Sequence, residues 1–442
     1  MSKLDRLYKD LIKNSSWLFA GKSAGSAFSA IQEIIVARIL GLAQYGLLSL
    51  VLAFVDILNN FVDLRVWEAA TKYVGEFWSK GDKEKTCSMI KFFYLIDIIT
   101  GIIAFGVAII LAEVASQYII KSDVATKLIY IYAITLLIDT SNSTSNAILR
   151  IFNKFKQIAL ISSVQNFIRL VLVSVLLVLG KGIEGVLLAF VISSFIGFFI
   201  RIIYVNQTLI SNNLNYWWVR KTFVKDVDYK DVSWFLLNTS FAGSLKALKD
   251  RYAGVLILGF FAGKEAAGIY KVARSTVKIL SRITDPIYEA IYPELVKIYS
   301  LSDLDNFEAL LKKSSIGISK VLLPLTILII VFAEYILKYV YGQEYVLATN
   351  VLRLVAISVV ISKLVSFAHP AFLALGRPGV RTVVQTISII TYIVLLLILV
   401  PVYSYMGAAY SLLGYAIVFV SLTIYWLNIL LAKEKNLRTD NI

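Results

Sequence analysis

The chain has 442 residues, 58% hydrophobic and 17% charged, with a mean hydropathy of +0.76 and a net charge of +15. A soluble domain carries about 25% charged and 45–50% apolar residues, so this surplus excludes a water-soluble globular core and sets the class as an all-α polytopic membrane protein. One cysteine (Cys87) and one histidine (His369) leave no disulfide and no metal-ligand cluster, and the basic balance belongs to membrane topology rather than to nucleic acid.

The first residues, MSKLDRLYKDLIKNSS, are basic and amphipathic and predict an interfacial helix over 1–14. Twelve transmembrane helices follow, at 15–39, 45–67, 89–112, 126–149, 158–180, 184–205, 234–262, 266–291, 315–337, 346–375, 380–400 and 406–431. The last two come from 51 uncharged residues, Thr382 to Ala432, too long for one span of about 20 residues. Pro401, Tyr403, Ser404, Tyr405 and Gly407 interrupt that stretch and predict a tight turn.

The spans group into six-helix lobes at 15–205 and 234–431, joined by a linker at 206–233 and followed by a tail at 432–442. Odd-to-even turns are short, while the other connections are longer and basic. In all, 21 Lys and Arg residues, Lys3, Lys72, Arg150, Arg220, Lys312 and Lys433 among them, fall on the side of the termini, which predicts that both ends are cytoplasmic.

The two lobes read as repeats. Gly41 and Gly46 match Gly263 and Gly268 at an offset of 222, and Trp67-Glu68-Ala69 matches Tyr288-Glu289-Ala290 after a one-residue slip. With an even helix count in each half, this predicts pseudo-symmetric lobes around a central cavity.

In the eighth span, Lys271, Arg274, Lys278, Arg282, Asp285 and Glu289 recur at steps of three and four, within a wedge of about 80°. Each cation facing lipid at the bilayer centre would cost about 2.5–3.5 kcal/mol, so four would cost on the order of 10 kcal/mol. The stripe must face water or an anionic ligand. The seventh span adds Lys246, Lys249 and Arg251, counted at similar depth, and the first span adds Lys22 and Arg38. Lys and Arg at several depths suit a phosphate or pyrophosphate moving along the membrane normal. The competing account is internal ion pairing, but in spans seven and eight the bases outnumber the acids.

The first half is richer in acids and amides. Glu33 lies on the first span; Asp56, Asn59, Asn60 and Asp63 share one face of the second; Asp97 is on the third and Asp139 on the fourth. Such oxygens fit a coupling Na⁺ or a carboxylate-borne proton. The competing account, a salt-bridge network satisfied by Lys22 and Arg169, is the plainer reading of the same residues. No P-loop and no catalytic dyad is visible, so no enzyme and no cofactor is expected beyond a coupling H⁺ or Na⁺.

The stretch Ala37-Arg38-Ile39-Leu40-Gly41-Leu42-Ala43-Gln44-Tyr45-Gly46 resembles the signature R-x-L-G-P-x-x-Y-G that ends the first helix of the polysaccharide-export flippases. These are the O-antigen (Wzx-type) transporters of the multidrug/oligosaccharidyl-lipid/polysaccharide exporter superfamily, and Leu42 stands here where proline is usual. The resemblance implies translocation of a polyprenyl-pyrophosphate-linked oligosaccharide from the inner to the outer leaflet of the cytoplasmic membrane. It also implies alternating access of two lobes, coupling to an ion gradient, and membrane lipids and polysaccharide assembly enzymes as partners. The runner-up is an ion-coupled multidrug exporter of the same fold, which should have an acidic or aromatic cavity. A glycosyltransferase or polymerase would need a long outer loop, which the chain lacks.

Overall fold

The computed structural model describes residues 3–62, 64, 66–215, 217–219, 224, 227–247, 252–300, 303–365 and 367–439; within these, the side chains of 3–20, 22, 219, 238–239, 241–247, 281–290, 292–294, 296–297, 300, 378 and 436–439 lie outside the description. Every long element is a helix: α1 (Lys3–Val62), α2 (Val66–Ser79), α3 (Lys83–Val114), α4 (Ala125–Ile138), α5 (Asn142–Ile151), α6 (Phe155–Val178), α7 (Gly182–Ser211) and α8 (Tyr229–Ala247), then α9 (Ala253–Ser300), α10 (Leu304–Val331), α11 (Ala333–Ile336), α12 (Thr349–Leu364), α13 (Ala368–Ala374) and α14 (Pro378–Thr439). Among the described residues, eight helical stretches are long and apolar enough to cross a membrane. Their exposed faces are apolar, as at Ile98, Ile99, Ile102 and Ile103 of α3 and Ile390, Val394, Leu397 and Ile398 of α14. In water these would be aggregation faces; on helices of this length and hydropathy they face lipid, where a helix satisfies all its own backbone groups.

The eight stretches differ from the twelve expected spans for local reasons. α1 (Lys3–Val62) and α14 (Pro378–Thr439) each carry an expected turn inside one helical run, because those turns hardly interrupt it. Inside α1, Gly41 takes φ 72°, ψ 173°; inside α9, Gly263 takes φ 85°, ψ 179°. These are conformations open to glycine, and their likeness gives the 222-residue repeat a backbone counterpart. In α14 the turn falls at Ser404 (φ 50°), where the uncharged stretch was expected to break. A Cβ on Gly407 would stand 2.2 Å from the Leu399 carbonyl oxygen, so the chain can fold back there only over glycine. The fourth expected span is broken by a 3-10 turn, Asp139–Ser141, which other elements hold: Thr140 donates to the Asp97 carbonyl oxygen, and Asp139 accepts from Ser194. No separate interfacial helix closes at residue 14: α1 runs on from Lys3, and neither glycine nor proline precedes Gly21 to stop it.

By internal contacts the chain forms two compact units, residues 1–40 with 51–248, and residues 41–50 with 249–442. The linker and the start of the seventh span therefore pack with the first unit, where α2 meets α3, α5 and α8. The core there joins Val66, Ala69 and Tyr73 of α2, Phe93 of α3, Ile148 of α5 and Leu236 of α8. In the second unit α9, α12 and α14 pack on one another. A separate cluster there joins Leu295 of α9, Phe307 of α10, Phe372 of α13 and Leu431 of α14. Residues 41–50 belong to the first repeat in sequence but to the second unit in contacts.

Candidate functional site

The first unit holds a polar cavity of about 90 Å³ lined by Asp56 and Asn59 of α1, Thr100 and Gly101 of α3, Tyr132, Thr135 and Leu136 of α4, and Asp139, Thr140 and Ser143 from the broken fourth span. Two features create it. The 3-10 turn swings Asp139 and Thr140 inward, and Gly101 lets that turn approach: a Cβ there would lie 2.7 Å from the Thr140 Cβ. Around the cavity each carboxylate is engaged by neutral donors. Tyr132 donates its hydroxyl to Asp56 Oδ1 at 2.9 Å. Asp139 accepts from Asn142 Nδ2 and from Ser194 Oγ, both at 2.9 Å. Asp97, 2% exposed, accepts the backbone N–H of Thr144 at 3.1 Å, and Thr140 donates to its carbonyl oxygen.

Two guanidinium groups complete the network. Arg169 donates from Nε to Ser193 Oγ at 2.9 Å and lies over the Phe190 ring at 4.8 Å. Arg201, 6% exposed, donates to Asn142 Oδ1, so the Asn142 amide bridges a buried arginine to Asp139. Of the acids and amides picked out in the sequence, Asp56, Asn59 and Asp139 line one cavity, with Asp97 behind it. Glu33 and Asn60 do not line it, and Asp63 lies outside the described residues. Tyr132, Thr140, Ser194 and Arg201 were missed. Arg201 had a signal, being a lone charge in the apolar run FIGFFIRIIYV, whereas hydroxyls are too common in spans to single out. Among the described residues no three His, Cys, Asp or Glu side chains gather as a metal site.

The second candidate is the face of α9. Tyr270, Val272, Ala273, Val277 and Leu280 are all buried at 2% exposure or less, whereas Lys271 and Arg274 are half-buried and Lys278 is exposed. The helix thus turns these apolar positions into the second unit and its cations away from that core, while Ile279, beside Lys278, is 57% exposed. All three cations make polar or electrostatic interactions. Arg38 is exposed near the end of the first span. Lys22, Lys246, Lys249, Arg251 and Arg282, with Asp285 and Glu289, have side chains outside the description, and so does the expected matching of depths between spans seven and eight.

The arrangement of membrane-spanning helices is one that the fold comparison also finds. The chain superposes on the inward-facing conformation of a multidrug resistance MATE family transporter of the MOP superfamily with TM-score 0.74, at 14% identity, covering 93% of this chain and 96% of that one. It matches the lipid II flippase MurJ in its inward closed conformation with TM-score 0.71, at 16% identity, over 94% and 89% of the two chains. Residues 11–299 match the family described as polysaccharide biosynthesis protein, and the chain belongs to that family. It is 22% identical over 295 residues to the inner membrane protein YghQ of Escherichia coli, covering 66% of this chain and 82% of that protein. A putative O-antigen transporter of Shigella flexneri is 24% identical over 161 residues, 36% of this chain and 38% of the relative, so that match spans well under half of either protein. The family is the one described as polysaccharide biosynthesis protein, and the fold is that of these multi-pass membrane proteins.

Proposed function

We propose that the protein is a flippase that carries a polyprenyl-pyrophosphate-linked oligosaccharide across the cytoplasmic membrane by alternating access. The lipid tail stays in the bilayer while the anionic head follows the cationic face of α9. The observation that carries this reading is the disposition of Lys271, Arg274 and Lys278, which α9 turns away from its own buried core. A face that carries three cations favours an anionic cargo over a cationic one, and a diphosphate with an attached sugar is such a cargo. The names of the relatives, a putative O-antigen transporter and a lipid II flippase among them, support the same substrate class. The name of the Escherichia coli relative supports an inner-membrane location, and the distribution of Lys and Arg supports cytoplasmic termini.

The acidic cavity of the first unit supplies the driving force in this reading. Protonation, or a cation, at Asp56 or Asp139 changes the charge balance against Arg169 and Arg201 and biases one conformation over the other. A drug exporter of the same fold would select cations, and the α9 face argues against that cargo. The test is export of polysaccharide by an Arg274→Ala/Lys278→Ala variant that accumulates normally in the membrane. Export should be lost, and the lipid-linked oligosaccharide should build up on the cytoplasmic leaflet. Wild-type export from that variant would end the anion reading.

A further inference from the structure

The third and the ninth expected spans end alike, one in each unit. α3 closes into a π-helical turn at Ala115–Ile120, and α10, followed by the short α11, closes into another at Leu337–Tyr341. The closing bonds match. Lys121 N–H donates to the Ser116 carbonyl and Gly342 N–H to the Leu337 carbonyl, each five residues back. Both turns stop at a residue of positive φ, 56° at Lys121 and 125° at Gly342. Positions 116 and 337, like 121 and 342, are 221 apart, the offset that already relates Trp67 to Tyr288. At the same offset Ala112-Glu113 matches Ala333-Glu334, and Tyr118 matches Tyr339. Burial follows suit: Ala112 and Ala333 are fully buried, Glu113 and Glu334 exposed, and Tyr118 and Tyr339 are 62% and 65% exposed. π-Helical turns are rare and gather at functional sites, so two at equivalent places in a repeat point to a shared use.

The surroundings say what that use is. Glu113 is flanked by the exposed Ile110 and Val114, and Glu334 by the exposed Val331 and Tyr335, on helices whose outer faces meet lipid. A few residues on, exposed polar groups take over, Lys121 and Asp123 in one unit and Gln343 and Glu344 in the other. The two Glu-Tyr pairs therefore stand where apolar surface gives way to polar, the headgroup level at which tyrosine rings collect. Among the described residues neither Glu113 nor Glu334 has a hydrogen-bond or ion-pair partner. Four residues beyond Glu113 stands the neutral Gln117. Four beyond Glu334 stands Lys338, whose Nζ lies over the Tyr339 ring at 5.9 Å rather than on the carboxylate.

We propose that Glu113 and Glu334 are two equivalent sites for the ammonium of an ethanolamine phospholipid, one in each unit, with Tyr118 and Tyr339 beside the bound headgroup. A carboxylate at a lipid-facing surface gains from any cation brought to it, and a phospholipid amine is the cation present at that depth. A primary ammonium donates N–H bonds to a carboxylate, whereas the quaternary ammonium of choline has none to give. The sites require only the membrane-spanning fold. Their assignment to the outer leaflet rests on the orientation proposed above.

Native mass spectrometry of the purified full-length protein tests the sites, by counting lipids retained at equal concentrations of phosphatidylethanolamine and phosphatidylcholine with the same acyl chains. The wild-type protein should prefer the ethanolamine lipid by about two- to fivefold, the strength of an exposed ion pair. Stepwise N-methylation of the headgroup should erode that preference. Glu113→Gln and Glu334→Gln should each remove part of it, and the double variant should hold both lipids alike. Its thermal midpoint should not move, because neither carboxylate has a partner among the described residues to lose. Equal retention of the two lipids by wild-type protein overturns the proposal, as does a double variant that keeps the preference. If the double variant instead turns a larger assembly into monomer with its lipid count unchanged, the carboxylates serve a contact between copies and the proposal fails. The leaflet has its own arm. In a Cys87→Ser background, which removes the chain's only cysteine, Gln117→Cys should react with a membrane-impermeant maleimide added to intact cells. Reaction only in inverted vesicles would contradict the orientation and move the sites to the inner leaflet, while the lipid preference would still stand.

Discussion

Arg201 is 6% exposed in a span, and its position makes sense only through Asn142, whose amide oxygen takes its N–H while the amide nitrogen donates to Asp139. Breaking a buried charge pair from one side costs about 3–5 kcal/mol, because the partner stays buried and uncompensated. Arg201→Leu should therefore lower the thermal midpoint and the membrane yield sharply. A double Arg201→Leu/Asp139→Asn variant should be less destabilised than the two single changes together imply, which a double-mutant cycle reads directly. Asp56 is the more direct functional test, since it lines the cavity and accepts from Tyr132. Asp56→Asn and Asp139→Asn should each shift the pH or Na⁺ dependence of transport while leaving the α9 face intact. If both variants keep the wild-type dependence on H⁺ and on Na⁺, the cavity is structural.

At the scale of elements, most of the helices were legible because hydropathy and breakers act locally. The turns at Gly41, Gly263 and Ser404 were expected from glycine and from the Pro401–Gly407 cluster, and each shows the backbone conformation that such a turn needs. The break in the fourth span was not legible. Asp139 and its polar neighbours read as one face of a continuous helix, and only tertiary partners (Ser194 on α7, Thr144 against Asp97) favour the 3-10 turn. For the same reason the sequence listed the acids but could not show which of them share a cavity. Gly407→Ala should cost folding yield, because its Cβ would meet the Leu399 backbone rather than a movable side chain; Gly317→Ala, in open space, is the matched control. At the start of α10, the Asn306 backbone N–H and then its side-chain amide hold the Asp303 carboxyl below the usual carboxylate range. A lowered folded value means that this cap is fully present above the ordinary carboxylate range and is lost as pH falls through the lowered value. Amide exchange over residues 304–308 should accelerate in that window, and Asp303→Asn should remove the pH dependence.

Over the whole molecule, the charge asymmetry seen in the sequence falls on different units: acids and amides around a cavity in the first, cations along α9 in the second. On the proposed reading, a transporter needs both a cargo site and a source of bias, and this division would give each its own place. Within α1, residues 41–50 pack with the second unit and residues 51–62 with the first, where Asp56 and Asn59 line the cavity. The most direct test is reconstitution. Proteoliposomes loaded with a polyprenyl-pyrophosphate oligosaccharide are compared for wild-type protein and the Arg274→Ala/Lys278→Ala variant, with leaflet exposure of the sugar as the readout. Wild-type protein should move the lipid to the opposite leaflet and the variant should not, although both insert and fold alike. Equal rates from the two proteins would contradict the account.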